Sequence, residues 1–183
     1  MDRCKWARNL DELYTQYHDK EWGTPVHNDQ TLYEMLILEL FQAGLSWNCI
    51  LKKRKNFEKA FDYFNIEKVI KYDDKKILEL QNNQEIVRNK LKINATINNT
   101  NIFKKIQKEY KTFDNYIWSF TNYKTIYETN KTSSELSDKI SKDLKSKGMK
   151  FIGTIIIYSY LQSIGIINSH EQQCFRYKKV VGK

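Results

Sequence analysis

The sequence predicts an all-helical fold, and three observations carry that reading. A single proline and six glycines in 183 residues leave too few chain reversals for a many-turned sheet architecture. Apolar residues recur at helical spacing along nearly the whole chain. No stretch alternates with period two for long enough to build a sheet. The length is near one domain's worth and allows a sizeable core, and 40% apolar with 14% aromatic residues excludes a disordered chain. No repeat, low-complexity tract or Pro/Gly/Ser linker divides the sequence, so residues 1–183 read as one unit whose ends can meet.

Each helix has a local signal. Asp29 can cap a helix running through Ala43 and ending near Gly44, and Ser46 can cap the next one to about Lys53. Asn56 to Phe64 and Ile66 to Tyr72 read as short helices, followed by Asp74 to Leu80. A long helix spans about Gln84 to Tyr110, with a break expected near Asn98 to Asn101, where polar residues are dense. Asp114 to Phe120 forms a short apolar turn of helix. Ser134 to Lys147 then closes on Gly148, and Thr154 to Ser163 closes on Gly165.

Residues 136–165 therefore read as helix, short hairpin, helix. Gly153 lets a ligand approach the backbone, and the first amides of the second helix point outward without partners. Together with the helix dipole and the charges of Lys147 and Lys150, they suit a DNA phosphate. A helical hairpin that merely packs a core helix fits the same spacing.

Charge and compartment narrow the classes. The formal net charge is +9, from 31 Lys+Arg against 22 Asp+Glu, which suits a polyanionic partner. Only five of those cations are Arg, and the abundance of Lys, Asn and Ile reflects composition bias, so a solvated lysine surface explains the excess as well. Three cysteines, Cys4, Cys49 and Cys174, cannot close a disulfide framework, which points to a reducing, cytoplasmic setting. The stretch from Phe151 to Ile167 is the most apolar, but it is short and interrupted by polar residues, so no membrane partner is expected.

Three constellations could carry chemistry. On the helix opened by Asp29, Leu32, Leu36 and Ala43 share one line, with Met35 and Leu40 beside it. Glu34 falls opposite, as a solvated carboxylate should. Glu39 falls inside the apolar sector, where an ionised carboxylate is costly unless it is paired or lines a polar cavity. A partly buried helix end with Glu39 reaching a lysine is the alternative. Secondly, Trp6, Trp22 and Trp47 lie within the first 47 residues together with Tyr14, Tyr17 and Tyr33. Aromatic faces around a carboxylate suit a cationic planar ligand such as an alkylated base, although each ring alone also suits a core. Thirdly, His170 and Cys174 share a helical face, and Cys4 and His18 lie at the other end of the chain. Two Cys and two His make a closed tetrahedral zinc set that would staple the termini, structural because it leaves no open position. Unrelated thiols and imidazoles explain the same residues, and Cys49 and His27 are rival ligands. No phosphate-binding loop, dinucleotide turn or serine elbow occurs.

The residues also carry a resemblance. Arg3-Cys4-Lys5-Trp6, Tyr14, and Tyr17-His18-Asp19-Lys20-Glu21-Trp22-Gly23-Thr24-Pro25 closely resemble the opening of the bacterial type I 3-methyladenine DNA glycosylases. The similarity continues through Leu38-Glu39, Gln42-Ala43-Gly44-Leu45-Ser46-Trp47 and Leu51-Lys52-Lys53-Arg54. It resumes at Ile117-Trp118-Ser119-Phe120 and over Leu136 to Gly165, and ends with His170 and Cys174. The part from about Asp62 to Lys111 is divergent, and only the helical pattern and a few positions such as Ile86 to Arg88 and Lys92 agree there.

The resemblance implies a helix-hairpin-helix glycosylase fold, with the hairpin at about Lys147 to Thr154 and Phe151 and Gly153 within the DNA-facing turn. It implies a structural zinc ion on Cys4, His18, His170 and Cys174, and a base pocket of Glu39, Tyr17, Trp22 and Trp47 completed by Trp6 and Tyr14. Leu45 or Ser46, at the rim, is then the candidate to wedge into the duplex. The implied protein is a monomer acting on double-stranded alkylated DNA, releasing 3-methyladenine without strand cleavage. The catalytic aspartate of most superfamily relatives has no counterpart in Ile167-Asn168-Ser169-His170-Glu171, as befits this branch. Two other classes stay open on the residues alone. One is a catalytically inactive, zinc-stabilised helical DNA-binding module, and the other is a helical interaction protein, which leaves the buried Glu39 unexplained.

Overall fold

A computed structural model describes residues 2–8 and 11–179. After a short turn at Lys5–Ala7 come helices α1 (Glu12–Lys20), α2 (Asp29–Gln42), α3 (Trp47–Ala60), α4 (Ile66–Val69) and α5 (Asp74–Asn82). Then follow α6 (Lys90–Tyr110), α7 (Phe113–Ser119), the two-residue strand β1 (Ile126–Tyr127), α8 (Glu135–Ser146), α9 (Thr154–Ser163) and β2 (Ile167–Asn168). The protein is predominantly helical, as expected. The one departure in class is the parallel pairing of β1 with β2, which sets Ile126 against Ile167 and Tyr127 against Asn168. Two residues per strand are too few to leave a period-two signal.

Helix α2 forms the centre. Leu32, Tyr33 and every residue from Met35 to Phe41 are buried, because α9, α3, α6 and α7 all pack on it. An amphipathic stripe therefore describes α2 poorly. Even Glu34, expected in solvent, is mostly covered and accepts a 2.7 Å hydrogen bond from Arg54 Nε. Asp29 is not the cap of α2. Asn28 accepts from the Thr31 amide in that role, while the Asp29 carboxylate accepts from the amides of Phe113 and Asp114 at the start of α7.

Other boundaries move for identifiable reasons. Ser46 caps α3 as expected, but α3 continues to Ala60 instead of stopping near Lys53. Phe57 and Phe61 stack beside Phe41 and hold that extension in the core. The helix expected from Asn56 to Phe64 ends instead in a left-handed turn, with positive φ at Asp62, Tyr63 and Phe64. Residues 84–89 are not helical, and α6 starts at the Asn89 cap and runs unbroken through 98–101. The middle of the dense polar run is inside the protein: Asn99 and Thr100 are buried, bonded to neighbouring elements, while Asn101 is exposed. Helix α1, capped by Asp11, has no counterpart among the elements expected from the sequence.

The chain ends meet. The Phe175 amide donates to Asp2 O at 2.8 Å and the Lys5 amide to the Glu171 carboxylate at 2.9 Å. At the other pole, α8 packs closely on α9 through the connector 147–153. Its first residues turn at Gly148, φ +97°, and Phe151 takes φ +56°. No helix among the described residues is long and apolar enough to cross a membrane.

Candidate active site

Where α2 ends and α3 begins, the core opens into a cavity of about 360 Å³. Glu39 reaches it from the last turn but one of α2, Trp47 from the first turn of α3, Tyr14 and Tyr17 from α1, and Trp6 and Trp22 from the flanking segments. All six residues expected around a base thus line one cavity. Tyr17 and Trp47 lie with ring centroids 5.2 Å apart, and Trp6 meets Trp22 edge-on at 4.8 Å and Tyr14 at 5.4 Å.

The electrostatics are set by burial. Glu39 is 3% exposed, and its Oε2 has no hydrogen-bond partner. Desolvation pushes its carboxyl up to about 8, since nothing positive stands close enough to favour the anion. The Trp47 indole Nε1–H is likewise buried without a partner. Burial, then the nearby Glu39, raise the Tyr17 phenol well above its ordinary value. An unpartnered carboxyl oxygen and an unpartnered N–H, on two residues that line one aromatic chamber, suit a polar ligand.

Sequence reading missed part of the wall. Gln42, Ser159, Gln162, Ser169 and the loop Thr129–Lys131 also face the cavity. Gln42 was findable, one helical turn after Glu39 on the same face. The loop carries no local signal and reaches the site only because β1 pairs with β2.

Cys4, His18, His170 and Cys174 converge as a second, fully buried group whose ligand atoms lie within 4.8 Å of one another. Such a group could hold a metal ion. The sulfur–nitrogen separations test the fit: Cys4 Sγ to His170 Nδ1 is 3.5 Å, and Cys174 Sγ lies 3.6 Å from both His18 Nε2 and His170 Nδ1. Tetrahedral zinc with Zn–S of ~2.3 Å and Zn–N of ~2.0–2.1 Å puts such atoms about 3.6 Å apart. The remaining ring nitrogens are also oriented, His18 Nδ1 by Asp19 at 2.9 Å and His170 Nε2 by the carbonyl of Trp22 at 3.1 Å. Burial lowers the His170 imidazole to about 4 and keeps it neutral, as a ligand must be. The rival residues stand elsewhere: His27 is bonded to Asp114, and Cys49 sits in the first turn of α3. Trp22 also packs edge-on against His170 at 4.6 Å, and Trp6 against His18 at 5.1 Å, so the ligand group backs the cavity wall.

The expected DNA-facing residues occupy two loops. Leu45 is exposed at the turn between α2 and α3, and Ser46 caps α3 by accepting from the Cys49 amide. Phe151 and Lys150 are exposed on the α8–α9 connector. Gly153 caps α9, and a Cβ placed there would meet nothing within 4 Å, leaving open space over the helix N-terminus. Lys147 is more committed, with Asp143 at 3.9 Å, Glu109 at 4.0 Å and the rings of Tyr110 and Tyr116 beneath it.

The family model described as methyladenine glycosylase matches residues 6–177. The chain is 38% identical to DNA-3-methyladenine glycosylase 1 of Escherichia coli K12, over 97% of each chain. It is 36% identical to a DNA-3-methyladenine glycosylase of Haemophilus influenzae, over 94% of this chain and 96% of that one. Its fold superposes with a TM-score of 0.91 on 3-methyladenine DNA glycosylase I from Staphylococcus aureus, a structure solved to explain 3-methyladenine recognition. That pair is 33% identical over 96% of both chains.

Proposed function

The chain belongs to the methyladenine glycosylase family, and from that membership we propose that it excises 3-methyladenine from alkylated double-stranded DNA. The nucleotide is extruded from the duplex into the cavity, the N-glycosidic bond is hydrolysed, and the free base leaves behind an abasic site. The observation that carries this reading is the pair of unpartnered groups, Glu39 Oε2 and Trp47 Nε1, in one aromatic chamber.

A base methylated at N3 carries a positive charge, so its bond to the sugar is already weak. Trp47 stacks on the cationic ring, and Glu39 and Tyr17 meet its edge. The positive charge of the bound base lowers the Glu39 pKa from about 8, so its proton passes to solvent water and the carboxylate faces the cation. As the C1′–N9 bond breaks, its electron pair goes to the base, which departs neutral. Positive charge moves to the sugar, a water oxygen bonds to C1′, and the water's proton is released. Glu39 acts first in recognition and then as an electrostatic stabiliser of the sugar cation. Strand cleavage is not part of the reaction. Lys131, the amine at the cavity wall, is ion-paired to Glu128 at 3.1 Å.

The α8–α9 connector serves as the helix-hairpin-helix element, with Lys150, Phe151 and Gly153 toward the backbone of the DNA. Cys4, His18, His170 and Cys174 hold one structural zinc ion, which ties the termini together and supplies no catalysis. The test is release of free base from methylated duplex DNA by the wild type and Glu39→Gln, resolved by chromatography. Release by the wild type and strong loss in the variant, with DNA binding retained, is expected. No release from folded, metal-loaded protein overturns the enzyme and leaves a DNA-binding module.

A further inference from the structure

Among the buried polar side chains of helix α6, Lys92 and Asn99 reach loops of other elements, and the chemistry above does not use them. The Lys92 side chain is buried, and its Nζ donates to the carbonyls of Phe41 at 2.8 Å and Ala43 at 2.5 Å. These are among the last carbonyls of α2, which have no partner within their own helix and form its negative end. Gln42, between them, lines the cavity, and Gly44-Leu45-Ser46 leads directly to Trp47. Lys92 therefore fixes the turn from which Gln42 and Trp47 project.

Seven residues later, Asn99 is fully buried and makes a two-way clasp on the connector. Its Nδ2 donates to Lys150 O at 2.8 Å, and its Oδ1 accepts from the Lys150 amide at 2.8 Å. Asn98 donates to Gly148 O at 2.9 Å and Ser141 to Ile152 O at 2.7 Å. Three alternate carbonyls of the connector are thus held by side chains of α6 and α8. The neighbouring Phe151, at φ +56°, needs such support, because a non-glycine residue there is strained.

A spacing of seven residues returns to within about 20° of the same helix face, and the two positions lie roughly 10 Å apart along the axis. We infer that α6 sets the distance between the cavity rim and the α8–α9 connector, with Lys92 and Asn99 as its two positioning residues. The inference deepens the glycosylase reading and rests on it. An extruded base and the phosphates of its own strand are covalently joined, so the base seats only if phosphate grip and cavity stand at a matching distance. A rigid helix bonded to both loops transmits that distance, and small errors in such positioning are costly to rate.

The test uses the full chain and four variants, with thermal unfolding recorded first. Asn99→Ala is expected to weaken binding to a duplex carrying a stable abasic-site analogue roughly tenfold. Its affinity for free 3-methyladenine should stay within about twofold of wild type, while its single-turnover excision rate at saturating enzyme should fall several-fold, because the base then seats out of register with the gripped phosphates. Asn99→Asp, which sets a buried carboxylate oxygen against the Lys150 carbonyl, should lose at least as much duplex affinity. Lys92→Met should show the reverse split, with near-normal duplex binding and a roughly tenfold loss in free-base affinity and saturated rate, restored by Lys92→Arg. Should Lys92→Met fail to fold, Lys92→Gln carries the same comparison. Wild-type duplex affinity in folded Asn99→Ala overturns the inference. So does loss of the same quantities by both variants in proportion to their loss of stability. Absence of base release by the wild type sinks the glycosylase reading instead, and the duplex-binding arm still decides the role of Asn99.

Discussion

Gly165 lies directly against the backbone of Pro25: a Cβ built on it would stand 2.4 Å from Pro25 N and 2.4 Å from the carbonyl carbon of Thr24. The contact is part of a seam. The Gly23 amide donates to Gln162 O and the Val26 amide to Ile164 O, both at 3.0 Å, so the end of α9 is laced to the segment that follows Trp22. Gly165 also has φ +76°, a conformation L side chains rarely adopt. Gly165→Ala should therefore cost about 3 kcal/mol or more, combining left-handed strain with a clash against backbone that cannot swing aside. Thermal unfolding of the purified variant measures it, and a shift of less than a degree would mean that the seam can open at little cost.

Glu39 makes stability depend on pH with a definite sign. Its carboxyl titrates at about 8 in the folded protein and near 4.5 when unfolded, so between those values the native state holds a proton that the unfolded state has lost. This contribution is present below the lower value and disappears as pH rises through the upper one. Glu39→Gln removes the dependence. The melting temperature of the variant should gain on wild type steadily from about pH 5 to about pH 8.5, and a constant difference would place the carboxyl elsewhere in the titration range.

Metal removal should act on both the chain ends and the cavity. Cys4 and Cys174 come from opposite termini, and without a metal burial pushes the Cys4 thiol up to about 12. One equivalent of zinc is expected by atomic emission, and strong chelation or Cys4→Ser should lower the melting temperature by at least roughly 5 °C. Because Trp6 and Trp22 pack on the two imidazoles, the same treatment should weaken free-base binding. A melting curve indifferent to chelation would show that packing alone joins the ends.

The two lysines of the connector should contribute unequally to DNA affinity. Lys150 is exposed, whereas Lys147 already has carboxylates of Asp143 and Glu109 nearby. Lys150→Ala should lower the slope of log affinity against log salt by about 0.9, the value for one phosphate contact, and Lys147→Ala by much less. Equal slopes for both variants would place the duplex further along α8 than the connector.

Much of the architecture was legible because its signals are local. Ser46 caps the helix it was expected to cap, α8 starts beside the expected Ser134, Thr154–Ser163 has the limits read from its pattern, and Glu39 stood out by interrupting an apolar face. Boundaries failed where a distant partner overrides local preference. Asn98 to Asn101 reads as a break to any rule based on polarity, yet the helix runs on, because the connector and Tyr33 receive the polar groups of Asn98, Asn99 and Thr100.

The sequence by itself determined the helical class, the carboxylate out of place on α2, the aromatic density around it and the residue types able to bind a metal. These follow from composition and from spacings of a few residues, which the geometry of one helix converts directly into faces. Only the tertiary structure decided that Cys4 and Cys174 meet, that residues 129–131 close the cavity, and that Lys92 and Asn99 face different loops from one helix. Each of those joins segments far apart in the chain. Their encounter is set by how the core packs, and no short-range pattern records it.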